Sequence, residues 1–244
     1  MLSLFVPYRP NRQQILNDFI QSYCSFYPEC FIYIIEQSDD DPFKRGQLAN
    51  VMFNELVRKG ENVENIAFVD IDLRLYDRID FENLLAVNKT VTIPFTKIDL
   101  CEFISIGEYT TSTTKPYFLT GTQLTGGITL FTKKMFEDCN GFSNVYVGWG
   151  CEDSDFLLRN PGYKHENNTI FHLEHKREKN HKTLNRNIQL LKNRTDPSFD
   201  GYRQTTVQNT INIELLPNVF HYKFSNIGVI PNFKYKKCFE SVLC

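Results

Sequence analysis

The sequence predicts an α/β fold built on a central, mainly parallel sheet, and three observations carry that expectation. Over the first third of the chain, short apolar runs alternate with segments of helical periodicity in the order β-α-β-α-β. The runs lack polar alternation, which is the pattern of strands covered on both faces. The chain's 244 residues, 41% hydrophobic and 23% charged, suffice to bury a substantial core.

Leu2 to Val6 reads as the first strand, stopped by Pro7 and Pro10. Ile15, Leu16, Phe19, Ile20 and Tyr23 then recur at helical spacing and fall on one face. Phe31-Ile32-Tyr33-Ile34-Ile35 is a continuous β-branched and aromatic run, a buried strand. Arg45 to Lys59 repeats the helical pattern with Leu48, Val51, Met52 and Leu56 inward. Ile66-Ala67-Phe68-Val69 is the third strand and runs into Asp70-Ile71-Asp72. Residues 98 to 120, rich in Thr and Ser, read as a long loop. Gly126-Gly127 opens a strand over Ile128 to Phe131, followed by a short helix around Met135. Thr169 to His175 and Thr206 to Leu215 look strand-like, with a polar helix between Lys182 and Lys192.

The balance of charge excludes some functions. With 27 Lys and Arg against 29 Asp and Glu, there is no basic excess to displace counterions from a nucleic acid, so no nucleic-acid partner is expected. No apolar run is long enough to span a membrane. Met1 to Val6 lacks the basic start of a signal peptide. Seven scattered cysteines, none in a CxxC pair, point to reduced thiols in a cytoplasmic compartment, the alternative being a soluble part of a secreted parent. Usage rich in Asn, Lys, Ile and Phe suits a viral, bacterial or protist source.

In parallel sheets ligands sit at the carboxyl ends of the strands. Three polar clusters fall there: Pro7 to Arg12, Glu36 to Arg45, and Asp70-Ile71-Asp72. In an extended segment Asp70 and Asp72 would face the same way and could converge on one cation or ribose, the bland reading being two solvated aspartates. Gly148-Trp149-Gly150-Cys151-Glu152-Asp153-Ser154-Asp155 places the chain's one tryptophan between two glycines, just before an acidic helix start. The glycines allow a mobile loop, the indole can stack on a sugar, and a carboxylate there can act as a base. The same acids could instead only complement the helix dipole. His172-Leu173-Glu174-His175 gains weight as a metal site if Asp72 is a ligand seeking an imidazole partner. Tyr8, Arg9 and Arg12, in a proline-stiffened loop, could hold an anionic aromatic ligand such as a nucleotide, or be a plain surface turn.

Taken in order, these motifs resemble the β-1,4-galactosyltransferases, inverting glycosyltransferases of the GT-A type. The likeness runs through Val6-Pro7-Tyr8-Arg9, Asn11-Arg12-Gln13, Tyr33-Ile34-Ile35-Glu36-Gln37, Phe43-Lys44-Arg45 and Phe68-Val69-Asp70-Ile71-Asp72. It continues through Gly126-Gly127-Ile128, Asn140-Gly141-Phe142, the Gly148 to Asp155 block and Asp200-Gly201. The resemblance implies one GT-A-like nucleotide-sugar-binding domain over 1–244 with a central mixed, mainly parallel sheet. Residues 1–97 would form its nucleotide-binding half and 98–244 its acceptor and catalytic half.

It also implies roles. Pro7, Tyr8, Arg9 and Arg12, with Phe43 and Arg45 beside them, would cradle the nucleotide of a UDP-sugar, and Asp70 would hold its ribose or sugar. Gly127 and Leu124 would border the donor. Trp149 would lie against donor and acceptor sugars, Glu152 would hold a saccharide acceptor, and Asp153 would be the catalytic base. Asp72, His175 and His172 would ligate Mn²⁺ or another divalent cation, His172 standing where relatives commonly carry methionine. Pro10 interrupts the usual arginine motif, and Cys151 and Ser154 replace a common glycine and aspartate. Leu124 takes the place of a tyrosine that gates the donor's 2-substituent, which implies room for GalNAc as well as Gal. A binding protein that has lost catalysis and a metal-dependent hydrolase using Asp72, His172 and His175 are the competing classes. Acceptor-dependent transfer, no reaction, or acceptor-independent cleavage tells the three apart.

Overall fold

A computed structural model of the chain describes residues 1–88, 90–93, 96–98, 127–160, 162–165, 170–173, 181–194 and 196–230. The expected loop over 98 to 120, Leu124, Gly126 and His175 therefore lie outside the described residues, apart from Ile98 at the end of a strand. In chain order the strands are β1 (Leu2–Tyr8), β2 (Phe31–Gln37), β3 (Asn65–Val69), β4 (Leu73–Leu75), β5 (Thr90–Ile93), β6 (Thr96–Ile98) and β7 (Ile128–Thr132). They continue as β8 (Lys164–His165), β9 (Ile170–Leu173), β10 (Thr205–Thr206), β11 (Asn209–Leu216), β12 (Val219–Ser225) and β13 (Gly228–Val229). The helices are α1 (Gln13–Phe26), α2 (Arg45–Lys59), α3 (Phe81–Val87), α4 (Lys133–Asp138), α5 (Glu152–Leu158) and α6 (His181–Lys192).

One eight-stranded sheet, ordered β11-β12-β2-β1-β3-β7-β5-β8, organises the chain. Its centre, β12-β2-β1-β3, is parallel; β11 pairs antiparallel with β12 and β7 with both β3 and β5, while β5 and β8 are parallel. The expected mixed, mainly parallel sheet is thus present, and strands from both halves of the sequence build it. Alternation along β1 sends Leu4 and Val6 into a core with Leu16, Phe19 and Tyr23 of α1, and Phe5 into a second core with Leu48, Met52 and Leu56 of α2. A small sheet, β4-β9-β6, stands beside the carboxyl end of β3. No helix among the described residues is long and apolar enough to cross a membrane.

Two expectations need correction. Pro7 does not stop β1, which runs on to Tyr8 with Pro7 opposite Ile35. Pairing with β3 ends at Phe5, so from there the strand has a neighbour on one side only, where a residue without an N–H is tolerated. The strand expected over Thr206 to Leu215 is two strands, β10 and β11. Its partner β12 carries no expectation in the sequence, because His221 and Lys223 interrupt its apolar pattern.

Asp200-Gly201 locks the second half. Arg159, with its side chain 2% exposed, bonds Asp155 at 2.7 Å and Asp200 at 3.3 Å, and Asp200 also accepts from the Asn144 N–H at 2.8 Å and from the Ser143 hydroxyl. Gly201 touches the Asn140 carbonyl so closely that a Cβ would lie 1.7 Å from that oxygen. Breaking such a buried pair strands a charge and costs about 3–5 kcal/mol. Asp200→Ala is therefore expected to lower unfolding stability by about that amount, measured by urea titration, and a loss near zero would refute the lock.

Candidate active site

The site is built where β3 ends. Asp70 opens a turn in which the Leu73 N–H donates to the Asp70 carbonyl at 3.0 Å, so residues 70 to 72 are not extended. The strand-based expectation that Asp70 and Asp72 converge is corrected by that turn: each carboxylate has its own partners.

Asp70 belongs to a cluster around Arg45. The Arg45 guanidinium, buried at the first turn of α2, donates from Nε to Asp70 Oδ1 at 2.7 Å and from Nη1 to Asp153 Oδ1 at 2.5 Å. Nη1 also reaches Glu152 Oε1 at 3.4 Å, and the guanidinium lies 4.5 Å over the Phe68 ring. Three carboxylates from β3 and α5 thus share one cation. Burial, with the adjacent Asp153 charge, pushes Glu152 up to about 7, and burial raises Asp153 as well. Among the described residues neither Glu152 Oε2 nor Arg45 Nη2, both buried, has a hydrogen-bond partner. Both point to polar capacity that a ligand can satisfy.

Asp72 belongs to a second cluster. Its Oδ2 lies 3.3 Å from Arg12 Nη1 and 3.5 Å from His172 Nε2. His172 is delivered by β9, whose register sets it opposite Leu73. A carboxylate oxygen and an imidazole nitrogen brought this close are suitable donors for Mn²⁺. Among the described residues no group of three such side chains converges. His175, the expected third ligand, lies outside those residues.

A third cluster gathers around Arg9 and Phe43. Arg9 donates from Nη2 to the Asp41 carbonyl at 2.5 Å, its guanidinium 5.1 Å over the Phe43 ring. Pro7 and Tyr8, expected in the loop, are instead buried in β1. Tyr8 donates to Pro10 O or Gln13 Oε1, each at 3.2 Å, and presents its ring to His221. Gly127 is buried immediately before β7 with a φ of 130°.

The loop before α5 joins these clusters. Gly148, Gly150 and Cys151 have φ of 69°, 98° and 78°, in the left-handed region. That conformation costs a residue with a Cβ about 1–2 kcal/mol, the physical reason glycine suits the position that Cys151 occupies. The loop exposes Trp149 (59%) and ties back to the Arg9–Phe43 cluster through the Gly148 N–H, which donates to Phe43 O at 2.7 Å.

Sequence reasoning missed Asn187 and the partners of two residues that it did single out, Arg45 and Glu36. Arg45 was expected beside the nucleotide, not as the hub of three carboxylates. Asn187 of α6 donates to three carbonyls of the Trp149 loop. Glu36, buried at the end of β2, faces His221 at 2.8 Å and Lys223 at 3.6 Å. A lone glutamate inside an apolar strand was the available signal for the last.

The fold is of the GT-A type, and comparisons with known proteins show what the chain resembles. The family described as the N-terminal domain of galactosyltransferase matches residues 109–182. A xylosylprotein 4-β-galactosyltransferase of Caenorhabditis elegans is 33% identical over 162 residues, covering 65% of this chain and 49% of that protein. A β-1,4-galactosyltransferase 4 of Mus musculus is 35% identical over 128 residues, 52% of this chain and 32% of that protein. The chain thus spans half or less of these curated relatives. The catalytic domain of Drosophila β-1,4-galactosyltransferase 7, crystallised with xylobiose, superposes with a TM-score of 0.64 at 21% identity, covering 97% of both chains. A mutant of that enzyme was crystallised with manganese, UDP-Gal and xylobiose. By sequence over part of its length and by fold over nearly all of it, this chain is similar to the β-1,4-galactosyltransferases.

Proposed function

We propose that this chain is a metal-dependent inverting glycosyltransferase that moves a galactose-type sugar, Gal or GalNAc, from a UDP-sugar to a hydroxyl of a saccharide acceptor. The observation that carries the reading is Asp153, held 2.5 Å from an Arg45 that also binds Asp70 after β3. A carboxylate raised by burial and oriented by a fixed guanidinium suits a general base. Asp153 takes the proton of the acceptor hydroxyl, which attacks the anomeric carbon from the face opposite UDP. Glu152, with Oε2 unpartnered, holds the acceptor, and Trp149 stacks on the sugars. Arg9, Phe43 and Arg12 hold the nucleotide, with Pro7 and Tyr8 shaping the floor beneath it and Gly127 bordering the donor. Asp72, His172 and His175 would hold Mn²⁺, which would offset the diphosphate charge.

Residues 1–244 act in this reading as one domain, its nucleotide side in 1–97 and its acceptor side in 98–244. Strands of both halves in one sheet support the single domain. Free thiols at Cys24, Cys30, Cys139 and Cys151 support a reducing compartment such as the cytoplasm. The test is mass spectrometry of the purified chain with Mn²⁺, UDP-Gal or UDP-GalNAc, and a panel of acceptors that includes xylosides. Acceptor-dependent transfer supports the proposal. UDP release independent of acceptor would make the chain a hydrolase, and no turnover a binding protein.

Leu124 sets the expected donor. Without a phenol at the gate, the acetamido group escapes a steric penalty of about 1–3 kcal/mol, or about 10- to 200-fold. UDP-GalNAc is then used at least as well as UDP-Gal, and Leu124→Tyr shifts preference toward UDP-Gal. The two donors competing for one acceptor decide it, and a strong native preference for UDP-Gal sinks the gate.

A further inference from the structure

We infer that Asn187 is a positioning residue that sets the Gly148-Trp149-Gly150 loop, and through it the first turn of α5, for transfer; the role in transfer rests on the function proposed above. Asn187 lies within α6 and has no exposed surface. Its Nδ2 lies 3.0 Å from the carbonyl oxygens of Val147 and Gly150 and 3.3 Å from that of Trp149. The amide is held in that orientation from behind, because Arg186 Nη1 donates to Asn187 Oδ1 at 3.2 Å and to Val145 O at 3.1 Å. With the oxygen so engaged, the two amide protons face the loop.

The arrangement answers a local electrostatic problem. A loop with three left-handed residues turns several carbonyl oxygens toward one side, where they repel one another unless a donor stands among them. Asn187 is that donor. The helix also meets the loop sterically: a Cβ on Gly148 would come 2.7 Å from Thr183 Cγ2, and one on Gly150 would come 3.0 Å from Leu184 Cδ1. On its other side the loop is fastened by the Gly148 N–H to the carbonyl of Phe43 at 2.7 Å, the residue whose ring Arg9 covers. The Trp149 loop is therefore strung between the nucleotide side and α6, and α5, which carries Glu152 and Asp153, begins where it ends. Asn187 touches neither end of the reaction. It acts through the loop.

Trp149 is the only tryptophan, so its fluorescence anisotropy and quenching by acrylamide report the loop without any turnover. Asn187→Asp keeps the side chain's shape while replacing the donor with an acceptor aimed at three carbonyls. Expected are higher Trp149 quenching and lower anisotropy, with kcat down about 10- to 100-fold from misplacement of the reacting groups and the donor KM nearly unchanged. Unchanged quenching in a folded variant overturns the inference whether or not the native chain transfers sugar. Raised quenching with unchanged kcat removes the role in transfer. Should the variant fail to fold, hydrogen exchange on the native protein decides: the Gly148 amide and the amides of α6 around Asn187 are expected to open together. Exchange at Gly148 while α6 stays protected overturns the latch.

Discussion

Asp153→Asn is expected to lower transfer by about 10²–10⁴-fold while UDP binding persists. The substitution keeps the size of the side chain and can still meet Arg45 through its amide oxygen, so the guanidinium and Asp70 stay in place. What it removes is the capacity to take a proton from the acceptor. The pH profile supplies an independent readout. Burial, with the neighbouring Asp153 charge, raises Glu152 to about 7, and burial raises Asp153, so the two titrate as a pair above the ordinary carboxylate range. The base must be ionised to act, so native kcat/KM is expected to climb with pH through that range and to fall as the pair gains a proton. In Asp153→Asn the residual rate should lose this limb. Near-native transfer by the variant would remove Asp153 from the role.

Asp72→Ala is expected to abolish Mn²⁺-dependent transfer and to weaken UDP-sugar binding, because the diphosphate loses the charge that offsets it. Asp72 Oδ2 lies between Arg12 at 3.3 Å and His172 at 3.5 Å, so the carboxylate also keeps an arginine and an imidazole together. His175→Ala should match Asp72→Ala in effect. His172→Ala should cost less, since a water can take one position of a hard ion. A chelator followed by Mn²⁺ repletion gives the reversible version of the experiment. Transfer that survives chelation would overturn the assignment for all three residues. Binding of Mn²⁺ alone, followed by calorimetry in native and Asp72→Ala protein, separates loss of the ion from loss of the fold.

Much of the first half was legible because its signals are local. Phe31 to Ile35 and Ile66 to Val69 can only be strands buried on both faces, and Leu48, Val51, Met52 and Leu56 recur at the spacing of one helix face. Asp70, Asp72 and the Gly148 to Asp155 block stood out for the same reason: polar chemistry placed immediately after an apolar run. The β12 strand was not legible, since His221 and Lys223 are explained only by Glu36 on the strand beside them. Asn187 looked like one more polar residue of a polar helix, and nothing local marks it as buried.

The sequence by itself determined the α/β class, the parallel centre of the sheet and the identity of the acids and bases near the carboxyl end of β3. These follow from periodicity and composition within short windows, where each residue's preference is decided by its neighbours along the chain. Only the tertiary structure decided how those groups are shared: Asp70 with Arg45 and Asp153, Asp72 with Arg12 and His172, and the Trp149 loop with Phe43 and Asn187. Each pairing joins residues far apart in sequence, and a buried charge or carbonyl takes whichever partner the packing of two elements brings within hydrogen-bond distance. That choice is made by the geometry of the sheet, which no single segment contains.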